Sequence, residues 1–323
     1  MGVDWDNILR QSFDSDDIGH RLLIGVQMLA IAALAVNVHD GLGESSAGFA
    51  LAYAAGRALL VIEYFRAAKY IPQARKLATR YGAGFAIAAS LWLLSVFVPI
   101  PWRFMLWGLG LFVDFSTPLT AKSLQLGLLP HPEHLPERFG LFTIIVLGEA
   151  IIAVVDGIAE QKWDITSAMS AVLGFTIAFS LWWIYFENVS GSALRSAGAG
   201  GGIEIFQVWL YGHLPLVIGL SVMGVGVEHI ITSEAGNALN TPHRWLLCGG
   251  VALCMLSLGL LHRTGVIFKC KVRSKYRFGT ATLLIILAMV GVSVSPLVVV
   301  GLVAFICATQ VVQDLYQSGQ LTF

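Results

Sequence analysis

The chain has 323 residues, of which 56% are hydrophobic and only 12% charged. Soluble globular chains are about a quarter charged, so this composition excludes a mostly water-solvated surface and makes lipid the solvent for most of it. Twenty basic residues balance twenty acidic ones, which excludes the strong positive field of a nucleic-acid binder.

The first 18 residues hold five Asp and no apolar core. They read as a polar N-terminal segment, 1–18, and not as a cleavable signal peptide. A helix crossing lipid needs about 20 mostly apolar residues. Runs of that kind lie at 20–38, 48–70, 82–99, 102–121, 139–158, 165–187, 205–229, 245–262, 277–294 and 297–314. None alternates apolar with polar residues, as barrel strands do. A helix also satisfies its own backbone in lipid. The fold expected is therefore all-α, a polytopic bundle of about ten transmembrane helices over 19–316, with a short polar tail at 317–323.

The breaks between runs have local causes. Pro99 and Pro101 punctuate the third and fourth runs. Pro130, Pro132 and Pro136 fill the connection before the fifth, where Pro136 can open a helix because its missing N–H has no partner there anyway. The stretch 190–202 is rich in Gly and Ser and reads as a link. Ser295-Pro296 makes a tight turn before the last run. Of Cys248, Cys254, Cys270 and Cys307, none forms a C-x-x-C pair, and they read as small packing residues.

Alternate connections fall on two sides of the membrane. One side collects Arg10, Arg21, Arg66, Lys69, Arg75, Lys76, Arg80, Lys122, Arg138, Arg195, Arg263, Lys269, Lys271, Arg273, Lys275 and Arg277. The other holds Arg103, Lys162 and Arg244, and Arg57 lies within a run. Basic residues mark the cytoplasmic side, so both termini are expected there, in a bacterial inner membrane. One helix more or fewer would scramble the sorting.

A charge at bilayer depth costs several kcal/mol, so each one requires a reason. Asp114 follows Arg103 by eleven residues on a run entering from outside, and Glu149 follows Arg138 by eleven on the next run, entering from inside. Eleven residues rise about 16 Å, half of a bilayer core about 30 Å thick. Both carboxyls are thus expected near mid-depth, where they could face each other and load and release a proton. Each shares a helix face with its arginine, and Asp156 shares that of Glu149. The bland alternative is a pair of hydrogen-bonded acids that hold the bundle together. Arg57 lies deep in the second run and needs a counter-ion, with Asp114 and Glu149 the candidates. Glu63 can pair with Arg66, three residues on. His213 precedes Pro215, which can kink the helix; there it either titrates near neutral pH or is a neutral, hydrogen-bonded side chain. Glu187, Glu228 and His262 lie near run ends, where hydration makes them cheap.

Other patterns carry less. His131-Pro132-Glu133-His134 has metal-ligand types but no third ligand nearby. The Gly-rich run 198–202 lacks the Lys-Ser/Thr of a phosphate loop. No hydrolase triad or zinc-protease pattern is present. No metal and no cofactor are therefore expected.

The segment His134-Leu135-Pro136-Glu137-Arg138-Phe139-Gly140, continuing to Leu147-Gly148-Glu149, resembles the signature of the bacterial low temperature requirement A membrane protein family. So do Ser12-Phe13-Asp14-Ser15-Asp16-Asp17 with Arg21, the stretch 57–64 from Arg57 to Tyr64, Leu181-Trp182-Trp183-Ile184-Tyr185-Phe186-Glu187, and Tyr211-Gly212-His213-Leu214-Pro215. The resemblance implies a polytopic inner-membrane protein without implying a reaction. It favours Glu149 first as a functional position, then Arg138, Arg57, Asp14 and His213. Relatives usually start with a further apolar helix carrying a Glu-Leu-Phe-Phe-Asp-Leu-type motif, and none precedes Phe13 here.

The function expected is proton- or cation-linked transport, or a channel-like activity, through a mid-depth carboxylate site formed by Glu149 and Asp114 with Arg57, Arg138, Glu63 and His213. A membrane sensor, an intramembrane enzyme and a structural role are the alternatives. The partners expected are the lipid bilayer and a small solute or ion, with no nucleic acid. Gly108, Gly110, Gly224 and Gly226 allow close helix contacts, within one chain or in a homo-oligomer.

Overall fold

The computed structural model describes residues 18–126, 128, 134–159, 165–188, 202–233, 238–264 and 268–319. Among these residues all regular structure is helical. The helices are α1 (Ile18–Val38), α2 (Ser46–Tyr70), α3 (Arg75–Ser95), α4 (Trp102–Leu119), a short α5 (Lys122–Leu126), α6 (His134–Ala159), α7 (Ile165–Asn188), α8 (Ile203–Ile231), α9 (Thr241–Arg263), α10 (Phe268–Val290) and α11 (Pro296–Ser318). All ten apolar runs thus form helices, and α5 is the addition. Among the described residues nine helices are long and apolar enough to cross a membrane. The tenth long helix, α4, has 18 residues and includes Arg103 and Asp114.

The helix ends differ from the run ends for physical reasons. α10 starts at Phe268, nine residues before its apolar run, because Lys271, Arg273, Lys275 and Arg277 continue the helix beyond the oily stretch. α3 ends at Ser95, before Pro99 and Pro101. α9 and α11 both open with a proline in the first turn, where its fixed φ suits the helix. Gly319 closes α11 with φ +79°, the left-handed cap that glycine adopts without strain.

Two arginines finish helix ends that side-chain caps leave open. From α4, Arg103 donates through Nε to the Ser95 and Val98 carbonyls at 3.0 and 3.2 Å, and through Nη2 to Val96 O at 3.3 Å. Arg244 of α9, almost fully buried, donates to Ala288 O at 2.7 Å and to Leu239 O at 3.1 Å. Each satisfies carbonyls at a helix C-terminus and complements its dipole.

The chain divides into two compact units, Met1–Leu129 and Pro130–Phe323. In the first, α2, α3 and α4 pack in succession and α1 lies against α2. Ala50, Ala54, Trp92 and Trp107 form its core, with Phe49, Tyr53, Val96 and Phe104 packed around them. In the second, α8 packs against α6, α7, α9 and α11, and α10 covers α9. Trp209, Leu216, Leu220 and Met223 of α8 are buried with Leu247, Val251, Met255 and Leu258 of α9.

Small residues set the helix spacing. A Cβ on Gly226 would stand 2.5 Å from the Leu247 nitrogen, and one on Gly224 would stand 2.9 Å from Ala150 Cα. Gly110 faces the Trp92 indole at 2.7 Å. Gly108, expected to serve the same purpose, has nothing within 4 Å; it lies on a face of α4 that no neighbouring helix approaches so closely.

Candidate functional site

Arg57 stands eleven residues past the start of α2 and thirteen before its end. Such a guanidinium cannot reach water by stretching its stem, so the protein must supply its counter-ion. Asp114 of α4 does so: Arg57 Nη2 lies 3.0 Å from its Oδ2. The Tyr53 hydroxyl donates to the same oxygen at 2.9 Å and accepts from Arg57 Nε and Nη2 at 3.3 and 3.1 Å. Tyr53 is one helical turn before Arg57, so α2 presents both groups on one face. The guanidinium also lies 5.4 Å from the Tyr53 ring centre and 5.2 Å from that of Phe85, within cation–π range.

Aromatic packing fixes this triad. Tyr53 stacks on Trp92 with ring centres 3.9 Å apart, and Trp92 stacks on Trp107 at 4.8 Å. Trp107 Nε1 donates to Ser95 Oγ at 2.9 Å. The column couples the ion pair to the end of α3 that Arg103 closes.

The two partners differ in access. Asp114 is 3% exposed at its side chain and Arg57 27%. Arg57 and Tyr53 line a cavity of about 200 Å³ between α1 and α2, together with Gln27, Ala30, Leu34 and Gly56. The carboxylate thus holds the guanidinium from the protein side, and the cavity meets its other side. Neutralising Asp114 would leave Arg57 without a counter-charge in a largely apolar pocket.

The other candidates separate. Glu63 lies 3.9 Å from His20 Nδ1. In the second unit α6 buries Val146, Leu147, Ala150 and Val154. Arg138, Phe142, Ile145, Glu149, Ile152 and Asp156 are all exposed, at the three- and four-residue spacing of one helix face. The expected common face of Arg138, Glu149 and Asp156 is therefore the exposed face of α6. Glu149 and Asp114, expected to face each other, belong to different units. His213 is fully buried. Its Nδ1–H donates to Trp209 O at 2.8 Å, and its Nε2 is hydrogen-bonded to the Tyr185 hydroxyl at 3.1 Å. Both nitrogens are used, which ties α8 to α7. Asp14, His131, Glu133 and the glycines at 198–201 lie outside the described residues. Among the described residues no three or more His, Cys, Asp or Glu side chains gather as a metal site.

Sequence reasoning missed a second buried ion pair. Arg277 of α10, 1% exposed, bonds Asp314 of α11, 2% exposed, through Nη2. It also donates to Gln310 Oε1 at 2.6 Å. Arg273 adds a contact to Asp314 at 3.5 Å. His262 is buried close to both arginines, with neither ring nitrogen bonded among the described residues. This corrects the expectation that a hydrated helix end makes His262 cheap, because α10 extends far enough inward to cover it. One signal was available: Arg277 opens one run and Asp314 closes the next, which puts them at the same membrane level.

The family described as bacterial low temperature requirement A protein matches residues 7–312. An uncharacterized protein of Rhizobium meliloti (strain 1021) is 27% identical over 220 residues, 64% of this chain and 53% of that protein. The chain thus spans about half the length of the curated relative it matches. No solved structure matches.

Proposed function

The chain belongs to the bacterial low temperature requirement A protein family, and from that premise we propose that it is a proton- or cation-linked membrane transporter using Asp114 and Glu149. The observation that carries the reading is the Arg57–Asp114 pair, 3.0 Å apart in the middle of α2 and beside a cavity. A pair whose only task was to hold helices together would be served best by closed, dry packing. Here the guanidinium is open on one side, so neutralising Asp114 would change what Arg57 offers to the cavity. Glu149, exposed on α6, is the second carboxylate of the proposal. The uneven distribution of Lys and Arg supports an inner-membrane orientation with both termini in the cytoplasm.

Proteoliposomes carrying a pH-sensitive dye test the reading. Wild type is expected to dissipate an imposed pH gradient, while Asp114→Asn and Glu149→Gln slow that flux at least tenfold. Variants that both keep the wild-type rate would overturn the carboxylate site. A wild type that is inert under every proton, Na+ and K+ gradient would end the transport reading.

A further inference from the structure

We propose that the cavity between α1 and α2 binds a small monovalent anion on Arg57, and that Asp114 takes up a proton as the anion enters. The inference rests on the transporter reading of this site and names its substrate class.

Arg57 is the only charged side chain lining the cavity among the described residues. Its Nε and Nη2 are used by Tyr53 and Asp114, while Nη1 has no partner among the described residues. A guanidinium carries five N–H donors in a planar fork, so donors remain unused on a side chain that lines the cavity. With Asp114 ionised the triad is neutral overall, and a second negative charge is unwelcome. With Asp114 protonated the triad carries one uncompensated positive charge in apolar surroundings, which is costly. An anion on Arg57 restores neutrality. Proton and anion therefore load together, and by linkage each strengthens the other's binding equally.

The surroundings support this exchange. Among the described residues of the unit, the charged and titratable groups facing Asp114 are Arg57 and Tyr53, both on α2. α3 meets α4 through Gly84 against Thr117 and Trp92 against Gly110, and the stretch between those contacts, 84–92, has no titratable residue. From α1 only the uncharged Gln27 adds a polar group to the cavity.

Size and depth narrow the ligand. The cavity, about 200 Å³ in volume and open on one side, has room for an anion of several heavy atoms. Chloride, nitrate and formate fit. A dianion such as sulfate brings one charge more than the site can neutralise. A lipid headgroup is excluded by depth, since Arg57 lies about 16 Å along α2 from its nearer end.

The test is nitrate- and formate-dependent thermal stabilisation of the purified protein in detergent, with gluconate as the oversized control. Wild type is expected to bind nitrate about tenfold tighter at pH 5.5 than at pH 8. Asp114→Asn should bind equally at both, with the tighter affinity. Arg57→Gln should show no nitrate effect, and Leu34→Phe, which fills the cavity away from the ion pair, should lose the effect while staying folded. Asp114→Asn without pH-independent binding, or Arg57→Gln with binding intact, overturns the inference. Proton flux that runs undiminished with gluconate as the sole anion would also remove the anion and leave the transporter. Anion binding without flux would keep the site and remove the transporter.

Discussion

Buried charge is worth most where its partner cannot be replaced by water. Arg277 and Asp314 are more enclosed than Arg57 and Asp114, and Asp314 also answers Arg273. Removing the single carboxylate would leave two guanidiniums facing each other in the packed interior. Breaking a buried pair from one side typically costs about 3–5 kcal/mol, so Asp314→Asn should lower stability by that order in denaturant unfolding. The double variant Asp314→Leu with Arg277→Met should recover part of the loss. Full additivity of the two single losses would show that the pair is not coupled. His213 gives the opposite expectation for flux. Its nitrogens are both satisfied, so Tyr185→Phe, which leaves the buried Nε2 without a partner, should cost about 1–3 kcal/mol and leave the pH dependence of flux unchanged. A shifted pH profile would make His213 part of the proton path.

Helix packing gives a sharper contrast at the level of elements. α8 and α9 approach so closely at Gly226 that a methyl group would strike the Leu247 backbone, and a backbone cannot rotate away as a side chain can. Gly226→Ala should therefore destabilise by about 1–3 kcal/mol, the usual range for overpacking. Gly108 faces open space, and Ala gains about 0.5–1 kcal/mol over Gly inside a helix, so Gly108→Ala should leave the unfolding midpoint unchanged or raise it. Both glycines lie in apolar runs as part of Gly-x-Gly pairs, and nothing in the sequence separates them. The helices themselves were legible because lipid imposes a length on each. Their ends were less so, since hydropathy reports the oily part of a helix and not where its hydrogen bonding stops. The same limit hid the Arg277–Asp314 pair, whose members each look like a solvated run end. Arg57 was legible as a residue needing a counter-ion, because its depth forbids a solvated reading, yet only the packing of α2 on α4 selects Asp114. Tyr53, which joins the two, looks in the sequence like one more aromatic residue on an apolar helix.

The orientation of the whole chain depends on α4, whose composition places it apart from the nine strongly apolar helices. Its 18 residues reach about 27 Å, close to the thickness of a hydrocarbon core. Its two charges are satisfied within the protein, Arg103 by carbonyls and Ser46, Asp114 by Arg57 and Tyr53. The helix therefore reaches lipid with its charges already compensated, which a hydropathy window cannot register. Counting it as a span keeps the basic residues sorted to one side. Of the three on the other side, Arg103 and Arg244 are engaged at helix ends and are not free surface charges, so the effective asymmetry is larger than the count. The resulting prediction concerns two positions. Asn240, exposed before α9, should face the periplasm, and Gly319, exposed after α11, the cytoplasm. With Cys248, Cys254, Cys270 and Cys307 replaced by Ala, Asn240→Cys should react with a membrane-impermeant maleimide in intact cells. Gly319→Cys should react only after the inner membrane is opened. The reverse pattern would invert the last three helices, as removing α4 from the spanning set would do with the N-terminus held inside, and equal labelling of both in intact cells would place the two positions on one side and remove α9, α10 or α11 from the spanning set.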